Sequence, residues 1–382
     1  MNARPRATAL GKAVAHDGPT GPVDWWLFGI ALLLLGLGLM MVLSASGVVA
    51  EKINGDKYYF FKKQLMFATG GGIALWTAAL MPRHLLYRLQ YPALFGVIAL
   101  LVLTLTPLGS KINGARRWLN LGVFAVQPME FAKIALALYL AYFMSTKQEV
   151  IRTFSRGVIP PYLVTGVLCL LLLLQPDFGG AAVLALILFF MCLVGGTRFL
   201  YLFCTAAVGT AGAWALVLHS PYRFRRLLAF IDPFKDAQDT GYQLVQSLYA
   251  LGSGGFFGQG IGASRQKLFY LPEAHNDFIM AVLGEELGLF GVTIVMTLLG
   301  LFFWRCHRII MGQRDLRDRF TAFGITLVIL LGAVLNLAVV TGVAPPKGVP
   351  MPFLSYGGSS LLSSLICVGL LLNFSRTSGH GR

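Results

Sequence analysis

The chain has 382 residues, of which 56% are hydrophobic and 12% carry a charge. A soluble domain needs roughly twice that share of charged residues, so the composition excludes an ordinary soluble protein. The formal net charge of +15 is then expected in loops and tails beside a membrane, where basic residues concentrate.

Apolar runs recur along the whole chain, and they predict an all-α polytopic membrane protein. A run of about 17–25 apolar residues crosses a hydrocarbon core of about 30 Å as a helix. The ten predicted spans are Trp25–Val49, Gln64–Ala79, Tyr91–Leu108, Gln127–Met144, Val158–Leu174, Gly180–Val194, Phe199–Leu218, Phe278–Phe303, Phe320–Gly342 and Ser359–Asn373. Residues 25–373 are therefore predicted to form one membrane domain between a flexible tail, 1–24, and a short tail, 374–382.

Basic residues indicate the orientation of these spans. The densest cluster follows the eighth span and consists of Arg305, Arg308, Arg314, Arg317 and Arg319. Because such clusters stay in the cytoplasm, both tails are predicted to be cytoplasmic. The outer loops still hold 14 Lys and Arg against eight Asp and Glu. This excess suits an anionic ligand such as pyrophosphate, and it equally suits lysines beside lipid headgroups.

The third loop places two arginines beside an indole, in Arg116, Arg117 and Trp118. Guanidinium groups bind phosphates through paired N–H donors, and an indole can stack on a sugar face. The alternative is an interfacial tryptophan anchor flanked by arginines that reach the headgroups. The same two interpretations apply to three arginines at the start of the long loop, Arg223, Arg225 and Arg226.

The longest predicted loop, 219–276, is extracytoplasmic and rich in glycine, and long loops in compact folds tend to be functional. It ends in Asn276, directly followed by Asp277 at the start of the eighth span. Such a pair before a helix is most often a cap, which would lower the pKa of Asp277 and weaken it as a base. The functional interpretation is a partly dry carboxylate that accepts a proton from a sugar hydroxyl.

Charged residues inside the spans have a simpler interpretation. Glu130 and Lys133 lie three residues apart on one helical face, which predicts a structural ion pair. Glu285 and Glu286 lie roughly 12 Å along the eighth helix from Asp277, too far to share one reacting atom with it. Whether Lys133 reaches one of them stays open.

Two further breaks between spans carry polar groups. Asp177 lies in a tight break where it is either a turn cap or a site residue. Residues 345–348 and 355–360, which include Lys347 and Ser355, form a loop of re-entrant appearance before the last span. Irregular backbone at that depth must be buried in protein or line a wet cavity. No histidine or cysteine spacing typical of a metal site is present, so no tightly ligated metal is predicted.

Together these segments resemble the SEDS family (shape, elongation, division and sporulation). The resemblance covers nearly the whole chain, with its motifs in family order. They are Leu43–Ser46, Gly114–Trp118, Gln127-Pro128, Gln175–Gly179, Gly252–Lys267, Leu271–His275, Asp277-Phe278, Pro352-Phe353 and Ser355–Ser360. Lys347-Gly348 is similar to the division branch, FtsW, rather than to RodA. Asn276 and Met129 replace the usual threonine and serine, and neither change removes a charge.

The resemblance implies a peptidoglycan glycosyltransferase that polymerises lipid II, the undecaprenyl-pyrophosphate-linked disaccharide-pentapeptide, at the division septum. It implies ten spans in the bacterial cytoplasmic (inner) membrane, with a class B penicillin-binding protein and other divisome proteins as partners. No nucleic acid is expected.

Within this resemblance, Asp277 matches the family's essential loop aspartate and is interpreted as the general base of an inverting transfer. The candidate substrate-binding residues are Arg116, Arg117, Trp118, Asp177, Arg223, Lys267, His275, Lys347 and Ser355. No cofactor is assigned with certainty, and a loosely bound divalent cation is the one candidate.

Two other classes of function stay open at this point. A lipid II flippase would need a polar path through the bundle, which Glu130, Lys133, Glu285 and Glu286 could line, but it gives no reason for a carboxylate at the outer rim. A non-catalytic division scaffold would only recruit the crosslinking enzyme. It predicts that Asp277→Asn complements fully in cells.

Overall fold

The computed structural model describes residues 21–112, 115–120, 122, 124–239 and 241–376, without the side chains of Ile112, Phe269 and residues 221–223. Helices dominate this part of the chain. They are α1 (Trp25–Asn54), α2 (Tyr59–Leu80), α3 (Arg83–Arg88), α4 (Gln90–Leu105), α5 (Pro128–Thr146), α6 (Ile159–Leu174), α7 (Phe178–Gly195), α8 (Phe199–Leu218), α9 (Pro221–Ile231), α10 (Tyr242–Ser253), α11 (Ile279–Gly312), α12 (Leu316–Val340) and α13 (Gly358–Ser375). Short π-helical turns, Phe154–Val158 and Gln266–Tyr270, precede α6 and the last part of the long loop.

Every predicted span lies on one of these helices, and the helical membrane fold is confirmed. Seven helices are long and apolar enough to cross a membrane by length and composition: α1, α6 with the turn before it, α7, α8, α11, α12 and α13. Helices α2, α4 and α5 occupy the other three predicted positions, and α4 is a shorter apolar helix of 16 residues. The loop between α8 and α11 is the long one, and it contains α9 and α10.

Helix α5 lies at the centre of the bundle, where it packs against α4, α7 and α12. Its Glu130 and Lys133 are both buried, and the Lys133 ammonium lies 2.8 Å from the Glu130 carboxylate. The predicted intrahelical ion pair is therefore present. A charge pair in this position satisfies two groups that lipid would otherwise leave unsolvated.

The loop between α4 and α5 folds into a small antiparallel sheet that the sequence analysis did not predict. Strands β1 (Gly109–Ile112), β2 (Ala115–Asn120) and β3 (Ala125–Val126) lie in the order β1-β2-β3. These strands are too short for a clear alternating pattern of hydrophobic residues. The available signal was the dipeptide Asn113-Gly114, which is typical of two-residue hairpin loops and lies outside the described residues.

Helix α11 is interrupted at Gly288, whose φ of 65° and ψ of −164° are not helical. Glycine reaches this conformation without a clash between a Cβ and the backbone. The main-chain groups freed by the break pair with residues 254–262, which we call the re-entrant segment. The amide of Gln259 donates to the Glu285 carbonyl (2.9 Å), and Leu289 donates back to Gly255 (2.9 Å).

Two buried carboxylates of α11 hold the residues that follow the re-entrant segment. Glu286 accepts from the Lys267 ammonium at 3.1 Å and from the Ser44 hydroxyl of α1 at 2.7 Å. Glu285 accepts from the Arg265 amide at 2.9 Å and from the Ser264 hydroxyl. The sequence left open whether Lys133 pairs with Glu285 or Glu286. In the structure Lys133 pairs with Glu130, and the cation beside Glu286 is Lys267.

A second charged network closes the opposite end of the bundle. Arg83 lies 2.5 Å from the Asp318 carboxylate and also donates to the Asn373 side chain at 2.5 Å. Tyr87 donates to the other oxygen of Asp318. This network joins α3, α12 and α13.

Loss of the Asp318 carboxylate is expected to destabilise the protein strongly. Asp318→Ala leaves the Arg83 guanidinium buried without its counter-charge, which costs about 3–5 kcal/mol. Asp315→Ala is the matched control, because Asp315 only caps α12 through the Arg317 amide, a bond worth about 1 kcal/mol. Thermal unfolding in detergent measures both. Equal shifts of the two midpoints would contradict a stabilising role for the network.

Candidate active site

A cavity of about 490 Å³ opens at the end of the bundle where α11 begins. Its walls come from β2, the turn before α7, the neighbouring ends of α8, α9 and α10, and the loops that precede α11 and α13. Two of these walls carry the predicted base and one of the predicted substrate-binding residues, Lys347. Asp277 lies on one, and Lys347 with Gly348 lies on the other.

Asp277 is largely enclosed by protein but keeps partial exposure through the cavity. Burial and, to a smaller extent, the negative charge of Glu273 raise the pKa of its carboxyl from 3.8 to about 7. The predicted cap is wrong, because α11 begins at Ile279 with Phe278 at the N-cap and no side-chain cap. The predicted lowering of the pKa is therefore also wrong. A carboxyl that titrates near neutral pH suits a general base.

Gly348 provides the space for this carboxylate. A Cβ placed on Gly348 would lie 3.1 Å from Oδ2 of Asp277, closer than side chains normally approach. The absence of a side chain therefore lets the two loops come together with the carboxylate between them.

Three cationic side chains line the cavity with Asp277. Lys347 lies with its ammonium 5.4 Å from the centre of the Phe178 ring, and burial lowers the pKa of Lys347. Arg117 donates to the carbonyls of Gln175 (3.4 Å) and Pro176, which fixes its guanidinium at the cavity wall. Arg226 of α9 is the third. Fixed positive charge beside a base suits a substrate that develops negative charge as it reacts.

Asp177 is the turn cap that one of its two interpretations predicted, and its role as a site residue stays a prediction. Its Oδ1 accepts from the Gly180 amide at 3.0 Å and so caps α7, and the residue also lines the cavity. Its carboxylate is therefore already engaged in holding the turn. The same turn also provides the carbonyls of Gln175 and Pro176, which position Arg117.

Ser355 and His275 support the Asp277 segment from outside the cavity. The Ser355 hydroxyl donates to the Asn276 carbonyl at 2.6 Å and accepts from the Met351 amide at 2.8 Å. The His275 ring packs against Phe60 and Tyr356, with centroids 4.9 and 5.6 Å away, and these two rings also contact each other.

Among the described residues, three further predicted ones do not line the cavity: Arg116, Trp118 and Lys267. Side chains alternate along a strand, and Ala115 and Arg117 line the cavity from β2 while Arg116 and Trp118 do not. Lys267 is buried in its ion pair with Glu286. The side chain of Arg223 lies outside the described residues.

Comparison with known proteins identifies the chain. A family model described as "cell cycle protein", covering FtsW, RodA and SpoVE, matches residues 24–380. The chain belongs to the FtsW/RodA/SpoVE family. It is 46% identical to the probable peptidoglycan glycosyltransferase FtsW of Trichlorobacter lovleyi, over 92% of this chain and 93% of that protein. It is 43% identical to stage V sporulation protein E of Bacillus subtilis, over 94% of this chain and 98% of that protein.

Solved structures agree with this FtsW/RodA/SpoVE assignment. One match is a chain of the structure titled "Structural coordination of polymerization and crosslinking by a peptidoglycan synthase complex". Its TM-score is 0.77 and its identity 30%, over 94% of this chain and 99% of that one. The crystal structure of RodA from Thermus thermophilus matches with a TM-score of 0.68 and 28% identity, over 93% and 97%.

The structure also adds residues to the site that sequence reasoning missed. Glu273 lines the cavity and has a positive φ of 55°, which is unusual for a residue with a side chain. Phe178 also lines it. Arg226, which has the same two interpretations as Arg223 in the sequence, is a cavity residue as well. Glu273 was part of a family-like motif, so a signal was present, but its effect on Asp277 depends on the folded loop.

Proposed function

We propose that this protein is a peptidoglycan glycosyltransferase that polymerises lipid II into glycan strands at the division septum of the bacterial inner membrane. The observation that carries the proposal is Asp277, a carboxylate with a pKa of about 7 on the wall of a cavity lined by cations. The family membership and the printed name of the Trichlorobacter relative support the same activity.

In the proposed reaction the acceptor sugar attacks with its 4-hydroxyl. The new bond joins that oxygen to the anomeric carbon of the donor, and the bond from this carbon to the pyrophosphate breaks. An α-linked donor that gives a β-linked product inverts, so one in-line displacement with one base suffices. Asp277 takes the hydroxyl proton, a contribution worth about 10²–10⁴ in rate.

The departing pyrophosphate carries the electron pair, and fixed cations stabilise it. Lys347 and Arg117 are the proposed groups, since both line the same cavity as Asp277. The apolar bundle keeps the polyprenyl tail in lipid. Substrate-binding roles for Arg116, Trp118 and Arg223 stay predictions.

A divalent cation would enter this scheme with the pyrophosphate. Among the described residues, no three or more His, Cys, Asp or Glu side chains form a group able to hold a metal. Asp277 and Glu273, two carboxylates that line the cavity, would share such an ion with substrate and water. No step above depends on it.

A class B penicillin-binding protein is the proposed partner, together with other divisome proteins. Similarity to a chain from a complex whose title joins polymerization to crosslinking supports this. Such a partner would crosslink the strands that this protein makes.

The deciding experiment supplies lipid II to the outer face of sealed vesicles that contain the purified protein, with and without the partner. A glycosyltransferase lengthens the glycan, whereas a flippase moves the lipid without lengthening it. A scaffold does neither. Absence of polymer with the partner present, when lipid II is accessible, would refute the proposal.

The pH dependence of polymerisation is expected to follow Asp277. The base acts when deprotonated, so activity should fall as the pH drops through its pKa of about 7. Glu273→Gln removes a negative charge that raises this pKa, so the acid limb should move to lower pH. Because burial persists, its midpoint should stay above the ordinary value of 3.8.

The glutamine in this variant retains an acceptor for the Asn276 amide, which now donates to Glu273 at 2.5 Å. The loop is therefore expected to keep its shape. Initial rates between pH 4 and 9 measure the effect. An acid limb that stays in place or moves to higher pH would rule out the assigned electrostatic contribution.

A further inference from the structure

The chain that leads into α11 is held by its main-chain carbonyls. The amide of Tyr356 donates to the carbonyl of His275, and the hydroxyl of Ser355 donates to the carbonyl of Asn276. The next carbonyl, that of Asp277, accepts from the side-chain amide of Asn336 at 2.7 Å. Three successive carbonyls are thus fixed by groups outside the loop, and the last belongs to the proposed base itself.

Asn336 is buried on α12, with 1% of its surface exposed. Its Nδ2 also donates to the carbonyl of Val349 at 2.8 Å. Val349 directly follows Gly348, against which the Asp277 carboxylate lies. One amide nitrogen therefore joins the loop of Asp277 to the loop of Lys347 and Gly348, and both loops line the cavity.

The helix leaves the Asp277 carbonyl available for this contact. At the start of α11 the amides of Ala281 and Val282 donate to the Phe278 carbonyl. The described amides of the helix do not donate to the Asp277 carbonyl. Without Asn336 this buried carbonyl would lack a donor, and the segment could shift to find one.

We propose that Asn336 is a positioning residue for the reaction. Its amide clamps the loop of Asp277 to the loop of Lys347 and Gly348, and so fixes the carboxylate where the acceptor hydroxyl arrives. This inference rests on the proposed role of Asp277. Asparagine suits the task because one nitrogen provides two N–H donors, whereas aspartate would place a charge against two carbonyl oxygens.

The test is Asn336→Ala in the purified protein, with initial rates measured over lipid II concentration and pH. A displacement of about 1 Å at a reacting group can cost 10²-fold in rate, so kcat should fall by about 10- to 10²-fold. KM should change by less than about twofold, because the substrate contacts remain. A carboxylate released from its enclosed position should also titrate at lower pH, which moves the acid limb downward.

Asn373→Ala provides the matched control. Asn373 is equally buried and donates to the carbonyls of Ala78, Ala79 and Met81 at the opposite end of the bundle. This variant should lose thermal stability while its kcat per folded molecule and its acid limb stay at wild-type values. Asn336→Ser, which keeps one donor, should fold even if the alanine variant does not, with an intermediate kcat.

The inference is overturned if Asn336→Ala loses only stability, as Asn373→Ala does, or if the serine variant has the wild-type kcat and acid limb. Asp277→Asn in the same assay separates the two proposals. Activity in Asp277→Asn would refute the base itself. Inactive Asp277→Asn beside normal Asn336 variants would refute only the clamp.

Discussion

Purified Asp277→Asn, folded and bound to its partner, should fail to polymerise lipid II. The amide has nearly the same shape as the carboxylate but cannot accept the hydroxyl proton. The loss should be at least about 10²-fold, the lower end of what a general base contributes. No described hydrogen bond to the Asp277 carboxylate would be broken, so stability should be close to that of wild type. Glycan length on gels measures the outcome.

Asp56→Asn is the control for this substitution. Asp56 is exposed in the loop before α2, where its carboxylate lies 2.8 Å from the Lys62 ammonium. The substitution makes the same chemical change on an outer loop, and it should leave polymerisation unchanged. Normal polymer from Asp277→Asn would remove Asp277 from the mechanism.

Lys347→Met should give the second-largest loss. Methionine keeps the apolar stem beside Phe178 but removes the charge proposed to stabilise the departing pyrophosphate. Loss of one such preorganised group costs about 10²–10³ in kcat. Among the described residues no carboxylate forms an ion pair with Lys347, so the charge is available to the substrate. Single-turnover rates of glycan extension measure the effect.

Lys235→Met provides the comparison, since Lys235 lies in the same long loop as Asp277 but is exposed and forms an ion pair with Asp232 at 3.3 Å. It should polymerise normally. Lys347→Arg should recover part of the rate, because it restores charge with a different shape. A Lys347→Met variant with wild-type kcat would show that Arg117 and Arg226 suffice.

The sequence predicted the helices well because lipid leaves few alternatives. A long apolar run in a membrane must become a helix, since its backbone groups cannot bond to water. The same argument predicted the Glu130–Lys133 pair from its spacing. It also placed Asp277 at the rim, where a polar loop meets an apolar run.

Other features depend on contacts between distant segments and could not be predicted. Burial of Asp277 comes partly from the loop that holds Lys347 and Gly348, more than 70 positions along the chain, and it reversed the expected shift in pKa. Side chains of the short strand β2 point alternately to its two faces, and the sequence does not show which face meets the cavity. It therefore could not predict that Arg117 rather than Arg116 lines the cavity. Lys267 looked like a phosphate ligand until its buried partner, Glu286, was visible.

The break at Gly288 has a consequence for how the protein is made. A translocon that released α11 into the bilayer alone would expose two carboxylates and unpaired backbone groups, and one acidic residue at a helix centre already costs about 2.5–3.5 kcal/mol. Their partners, the re-entrant segment and Lys267, are synthesised before α11. Because the chain is synthesised from its N-terminus, each partner is already present when α11 enters the membrane. A circular permutation that places the re-entrant segment after α11 in the sequence should therefore impair biogenesis.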